Sequence, residues 1–512
     1  MRGGGFDWPS LGRAVQRGIK VGAAQRLAGG DERIAQSASC SCGPGNRLRA
    51  QAVDDAQASG PCVNPSSRRG ATIRAVPDLP TITFSQRTLP NGLRVIVAPD
   101  HLAPVVAVNL WYVVGSRHET PGRSGFAHLY EHFMFQGSRH VTKAEHFSMI
   151  QAAGGVNNAT TYFDRTNYFE TLPSHQLDLA LWLEADRMAT LLDALDQENL
   201  DNQREVVKNE KRQSYDNRPY GSFYEKLMAA VFPPEHPYHH TPIGSMEDLD
   251  AATVDDVVAF FKTWYAPNNC VLSIVGDVDE EAAHAAAARY FGPIPANPNI
   301  VQPAEDKIAP QIGVEMREVV PDAVPLARVH FGFRCPPFGS AEFDALEVAS
   351  QILAGGRGSR MYRALVREGK MAQDVTAFGL PLVDGASFFG GWVTVRPDST
   401  EEACEEAFIA ELQKLIDEPV TDDELARARA LIEASELGAL SRVEEVADRL
   451  SMYAALFDRP ELVNEQLGRY LAVTAEQIQA VAAQVFRADN RVVLTYVPNE
   501  SGSSDDEGEE AA

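Results

Sequence analysis

Thr253-Val-Asp-Asp-Val-Val-Ala-Phe-Phe-Lys-Thr-Trp-Tyr-Ala-Pro-Asn-Asn269 lies without gaps on Thr474-Ala-Glu-Gln-Ile-Gln-Ala-Val-Ala-Ala-Gln-Val-Phe-Arg-Ala-Asp-Asn490, and each copy runs into an apolar, strand-like segment. Both copies open with a Thr followed three residues later by an acid or amide, the capping box that begins a helix. The match extends upstream. Ala327-Arg-Val-His-Phe-Gly-Phe333 corresponds to the apolar run that starts at Val105, and Leu346 to Gly355 falls on His128 to Gly137. A chain of 512 residues exceeds a single hydrophobic core. The repeat therefore reads as two similar domains of about 200 residues each. Their expected class is α+β, because strands and helices alternate irregularly around what reads as one mixed, mainly antiparallel sheet per domain.

The expected divisions are a leader at 1–78, a first domain at 79–292, a linker at 293–312 rich in Pro, Ala and Asn, a second domain at 313–498, and an acidic Gly/Ser tail at 499–512. The leader is rich in Arg, Gly, Ser and Ala and reads as disordered. It has no apolar core of a secretory signal, and its arginines fit an organellar transit peptide as well as a misplaced start codon. In the first domain, Thr81 to Phe84 and Leu93 to Val97 flank Asn91-Gly92, a hairpin signal. Strands are expected at Ala107 to Val114 and Thr166 to Leu172, and helices at Lys143 to Ala153, Leu200 to Tyr215 and, amphipathically, His175 to Leu192.

The copies part company where chemistry is expected. His128-Leu-Tyr-Glu-His132 places two imidazoles four residues apart, on one helix face, with Glu131 between them. Two imidazoles on a tetrahedral zinc leave room for a third ligand and a water, and an adjacent carboxylate can take a proton from that water. In the second copy Leu346, Ala349 and Ser350 replace His128, Glu131 and His132, so that half has no metal site.

The formal charge is −25. Residues 1–75 carry a surplus of six positive charges, so the remainder stands at about −31. Such a body repels nucleic acid and anionic membranes. Six scattered cysteines form no CxxC pair and no disulfide framework. No apolar stretch approaches the length of a transmembrane helix. Gly355-Gly-Arg-Gly358 is not a phosphate loop, since no Gly-Lys-Ser/Thr follows it, and His236, His239 and His240 sit among prolines as a structural loop.

Together, Ala127-His-Leu-Tyr-Glu-His-Phe-Met-Phe-Gln-Gly137, Asn158-Ala-Thr160, Arg204-Glu-Val-Val-Lys-Asn-Glu210, His236-Pro-Tyr238, Pro242-Ile-Gly244 and Val275-Gly-Asp277 resemble the inverzincin metallopeptidases of the pitrilysin/insulinase family. Within it they resemble the two-domain, processing-peptidase-like branch. The resemblance spans roughly residues 80–498 and implies a chain that forms half of a clamshell. It also implies a zinc-dependent endopeptidase of peptides or unfolded segments, with one Zn2+ per chain on His128, His132 and a downstream glutamate. Glu210 lies 78 residues after His132, suits the family's interval and is favoured as that ligand. Glu205, about 140° away around a helix, then stands behind the ligands or on the surface. Glu131 is the implied general base, and Asn158, Ala159 and Thr160 the edge strand that pairs with substrate backbone. Where the family carries an Arg and a Tyr in its second half, this chain has Val366 and Gln373. Arg360, Arg363 and Arg367 lie nearby, but the simpler expectation is a second, zinc-less homologous subunit that supplies the pair. The alternative is a non-catalytic, processing-peptidase-like structural subunit. By resemblance the compartment is periplasmic or otherwise extracytoplasmic, with an organelle the other option.

Overall fold

Gly92 adopts φ +86°, the left-handed conformation its Asn-Gly turn requires, and folds β1 (Ser85–Thr88) back on β2 (Arg94–Pro99) with Thr88 opposite Arg94. The first arm of the hairpin begins later than the sequence suggests. Thr81 to Phe84 is not a strand: Ile82 is tied instead to Asn464, its N–H donating to Asn464 Oδ1 (2.7 Å) and its carbonyl accepting from Asn464 Nδ2 (2.9 Å). This computed structural model describes residues 81–304 and 307–499. The expected leader at 1–78, and the expected tail beyond Asn499, lie outside the described residues.

β3 (Val105–Tyr112), β4 (Val156–Thr161), β5 (Thr166–Pro173) and β6 (Cys270–Gly276) complete a six-stranded sheet in the order β1-β2-β6-β3-β5-β4. The second sheet contains β7 (Met316–Asp322), β8 (Arg328–Cys335), β9 (Ala372–Leu380), β10 (Ser387–Val395) and β11 (Arg491–Pro498), in the order β7-β11-β8-β10-β9. Only β2/β6 and β7/β11 run parallel, so both sheets are mixed and mainly antiparallel. Strand for strand, the second order repeats β2-β6-β3-β5-β4. The repeated helices, Val254–Trp264 and Ala475–Val485, feed the central strands β6 and β11, and the boxes Thr253/Asp256 and Thr474/Gln477 cap them as their sequence predicts.

Each half lends a helix to the other's sheet. Val443–Phe457 packs on β3 and β6. There Asp448 Oδ1 accepts from Asn109 Nδ2 (3.2 Å), Trp111 Nε1 (2.7 Å) and Asn167 Nδ2 (2.9 Å). Phe223–Val231 packs on β8 and β11, burying Leu227, Met228 and Val231 with Phe388, Leu494 and Tyr496. Neither sheet closes its apolar face without the other half of the chain.

Two helices depart from their expected form. Leu177–Thr190 is buried on all sides from Leu179 to Met188, including Glu184, Asp186 and Arg187, so it is not amphipathic. Its charges are satisfied internally: Arg187 pairs with Glu184, and Asp186 accepts from His140 Nδ1 (2.6 Å). Arg187 also donates to Met134 O (3.4 Å), which puts a cation at the carboxyl end of the helix Phe126–Phe133. Gln197–Lys211 stops before Tyr215 and passes into a π-turn at Arg212–Asp216. Among the described residues no helix is long and apolar enough to cross a membrane.

Replacing Asp448 with Ala strands three donors at the seam between the halves. The expected cost is about 3 kcal/mol in urea unfolding, with Asp448→Asn intermediate. A second prediction concerns pH. The bidentate hydrogen bond from Arg360 (2.7 and 2.9 Å) holds the Glu424 carboxyl down to about 2, against an ordinary 4.5. A carboxyl depressed in the folded state stabilises fully above its unfolded value, and that contribution is lost as pH falls through the folded one. Unfolding midpoints of Glu424→Gln and the wild type therefore converge as pH drops from about 4.5 toward about 2.

Candidate metal centre

The helix Phe126–Phe133 starts where the chain can approach nothing larger than glycine. Gly125 has φ +87°, and a Cβ there would sit 2.9 Å from Ile243 O and 3.1 Å from Gly244 Cα. The Pro242-Ile-Gly244 run is thus the floor beneath the helix entry. No side chain of the helix's own sequence caps it. Glu119 does so from outside, accepting Gly125 N–H (3.0 Å) and Ala127 N–H (2.8 Å), while His240 Nε2 lies 2.8 Å from the same carboxylate. Burial pushes Glu119 above the usual carboxylate range. The helix amino end and His240 are what favour its charge. Burial alone would lower His240, but Glu119 outweighs that and raises it.

On this helix His128 and His132 share a face, their ring centroids 4.8 Å apart. Glu210, on Gln197–Lys211, brings Oε2 to 3.3 Å from His132 Nε2 and 3.7 Å from His128 Nε2. One donor atom from each residue lies within 4.8 Å of the other two. Donors about 2.0–2.1 Å from a shared tetrahedral centre are roughly 3.3 Å apart, close to the two edges at Glu210. The protonation states agree with that fit. Burial, with His132 beside it, brings His128 down to about 4, and hydrogen bonding to His132 holds Glu210 below the usual carboxylate range. Neutral imidazole and ionised carboxylate are the forms a metal binds.

Glu131 points to the neighbouring strand, where its Oε2 accepts from Thr161 Oγ1 at 2.6 Å. Burial raises its pKa, and the Thr161 hydrogen bond works against that. Thr161 was not among the sequence candidates. The available signal was period two on β4: Ala159 is buried where the helix packs on that strand, and Thr161 shares its side. β4 ends the sheet, so among the described residues its outer edge has no strand partner. Asn158 is exposed there, and Arg165 Nη1 holds Thr160 O at 2.9 Å. Glu205 stands on the solvent side of its helix, 3.3 Å from Lys208 and away from the triad.

A second group of donors, His146, Glu170 and Glu184, also lies within 4.8 Å of one another. All three are buried, and Glu184 is committed to Arg187. Burial and the neighbouring Glu184 push Glu170 well above the usual range, so its charged form is disfavoured beside the Glu184–Arg187 pair. In the second half, Leu346, Ala349 and Ser350 are buried in the helix Ala341–Leu353. Of the arginines near Val366, Arg360 is spent on Glu424 and Arg367 lies 2.9 Å from Glu368.

The chain is similar to known proteins. The profile described as Insulinase (Peptidase family M16) matches residues 94–239, and the one described as Peptidase M16 inactive domain matches 251–432. The chain is 30% identical over 440 residues to Zinc protease PqqE of Helicobacter pylori, covering 84% of this chain and 96% of that protein. It is 25% identical over 404 residues to the probable mitochondrial-processing peptidase subunit beta of Arabidopsis thaliana, covering 77% and 75% of the two. A crystal structure of a protease from Helicobacter pylori superimposes with a TM-score of 0.76 at 29% identity, over 81% of this chain and all of that one (100%). Two sheets of one repeated order, a histidine-bearing helix in the first alone, and near-complete coverage of a relative place this chain in the insulinase-type M16 peptidase family.

Proposed function

We propose that the chain is a zinc-dependent endopeptidase acting on peptides or unfolded segments. In this reading 79–292 is the catalytic domain and 313–498 its metal-free counterpart. The observation that carries it is the triangle of His128 Nε2, His132 Nε2 and Glu210 Oε2, with edges of 3.3 and 3.7 Å at Glu210, beside a carboxylate that is not part of it. A zinc ion bound there supplies Lewis acidity, lowering the pKa of a water and polarising the scissile carbonyl.

The protein's own groups do the rest. Glu131 takes a proton from the attacking water and returns it to the leaving amine nitrogen. Thr161 occupies Oε2, which fixes the carboxylate's rotation and leaves Oε1 for that proton. The free edge of β4 at Asn158, Ala159 and Thr160 pairs with extended substrate backbone, presenting the scissile bond to the triad. Glu205 has no part in the chemistry. With Val366 and Gln373 where the resemblance calls for Arg and Tyr, and Arg360 engaged by Glu424, those two groups come from a second, zinc-less chain.

Glu131→Gln is expected to keep its zinc, measured by elemental analysis, while peptide cleavage falls by roughly 10²–10⁴-fold. Zinc kept with cleavage unaffected overturns the role given to Glu131. A wild-type chain that holds zinc and cleaves nothing, alone or with its co-purifying partner, favours the structural-subunit reading instead. Thr161→Val leaves zinc content and KM unchanged and lowers kcat about tenfold, because a rotating carboxylate meets the water in fewer productive orientations.

A further inference from the structure

The carboxylate that completes the triad also borders a cavity of about 610 Å³, whose opposite wall is the face of the second sheet bearing Arg328, His330 and Trp392. Arg328 faces Thr394, and His330 faces Trp392, across the β8/β10 ladder, so these four side chains share that face. The near wall is held in a costly conformation. Tyr220 has φ +61°, rare for an aromatic residue. Its N–H donates to Asp322 Oδ2 (3.0 Å) and its hydroxyl to Leu326 O (2.7 Å). Gly221 follows, where a Cβ would overlap Tyr215 O. This turn lays the Tyr220 ring 3.9 Å from the Arg328 guanidinium carbon, with Trp392 at 5.6 Å.

The Arg328 guanidinium thus lies among aromatic rings. Its Nε donates to Thr394 Oγ1 (2.9 Å), and among the described residues its terminal nitrogens have no carboxylate partner. The acids around it are engaged elsewhere: Asp374 accepts from Trp392 Nε1 (2.9 Å), Asp322 from Tyr220 and Ala323, and Glu210 faces the histidine pair. Two buried arginines, by contrast, are answered by carboxylates, Arg187 by Glu184 and Arg360 by Glu424. His330 adds a second unanswered group. It is fully buried, stacked on Phe223 at 4.5 Å, and neither ring nitrogen has a hydrogen-bond partner among the described residues. The charged residues lining the cavity are Glu210, Arg218 and Arg328, so once Glu210 serves the triad the space is locally cationic in a chain of charge −25.

We propose that this cavity is a substrate subsite that takes a peptide carboxylate, an Asp or Glu side chain or a chain-terminal carboxylate, on the edge of the Arg328 guanidinium. Tyr220 and Trp392 flank that group with rings instead of acids, which leaves its terminal nitrogens for a bidentate acceptor. His330, fully buried beside it and stacked on Phe223, walls the subsite with its ring. The assignment rests on the peptidase reading and supplies its specificity.

The probes are fluorescein-labelled peptides of about ten residues, identical except that each position in turn carries Glu or Gln and the terminus is free or amidated. Equilibrium binding to the zinc-loaded full-length Glu131→Gln protein is read by anisotropy. At least one pair is expected to differ by about tenfold in favour of the acid, the size of one charge-assisted hydrogen bond. An internal pair identifies a side chain, and the terminal pair identifies the chain end. Arg328→Gln brings the pair within about twofold, and Arg328→Lys keeps part of the preference. No pair that differs, or a preference that survives Arg328→Gln, overturns the subsite; the first outcome needs no variant at position 328. If the preference is present but the wild type cleaves none of these peptides, the peptidase reading falls and the subsite stands.

Discussion

Two imidazoles and a carboxylate are held within 4.8 Å of one another in a half-buried position, and the chain spends a good deal of structure keeping them there. The histidine pair costs little, because helical spacing aligns it. The carboxylate is the harder part, since it arrives from 78 residues further on. The run Arg204-Glu-Val-Val-Lys-Asn-Glu210 divides that work. Arg204 donates to Leu249 O (2.8 Å) and Ala252 O (2.7 Å), Lys208 pairs with Asp250 (2.7 Å), and Val207 is fully buried. With the helix pinned on those sides, rotation has one outcome: Glu210 meets the pair and Glu205 faces water.

The same economy explains how the fold was legible in the sequence and where it was not. Capping boxes at Thr253 and Thr474, the Asn-Gly turn and the two aligned runs are local signals with local causes, and each produced the element it called for. The misses have non-local causes. Leu177–Thr190 reads as amphipathic because it carries Glu184, Asp186 and Arg187, but those charges meet one another and His140 inside the protein. Thr81 to Phe84 reads as a strand arm, yet a side chain 382 positions away, Asn464, takes the backbone of Ile82.

At the site the division is similar. His128, Glu131 and His132 stand out as a motif because one helical turn relates them. Glu210 needed the family's interval as well as helical geometry. Thr161 carried only a two-residue alternation, and Arg328 carried no signal at all. Trp392 reaches it across the β8/β10 ladder, and Tyr220 only because the first half lends its helix to the second sheet.

That exchange also explains why the halves, alike in topology, differ in what they leave open. The offset relating Asn269 to Asn490 carries Ser273 on β6 to Leu494 on β11; their partners across the ladder are Asn109 and His330, which therefore occupy equivalent places. Both places lie beneath a helix lent by the other half. Over the first sheet Asp448 gathers Asn109, Trp111 and Asn167 onto one oxygen, so the polar groups are consumed at the seam. Over the second sheet Phe223 stacks on His330 and leaves its nitrogens unspent, while Arg328, next on the same face, has aromatic rings beside it and Thr394 on its Nε. A seam closed by hydrogen bonds fixes the halves together. Over the second sheet the hydrogen bonds gather at the turn before the lent helix, from Tyr220 to Asp322 and to Leu326 O, and polar capacity is left at Arg328, in the cavity that Glu210 borders.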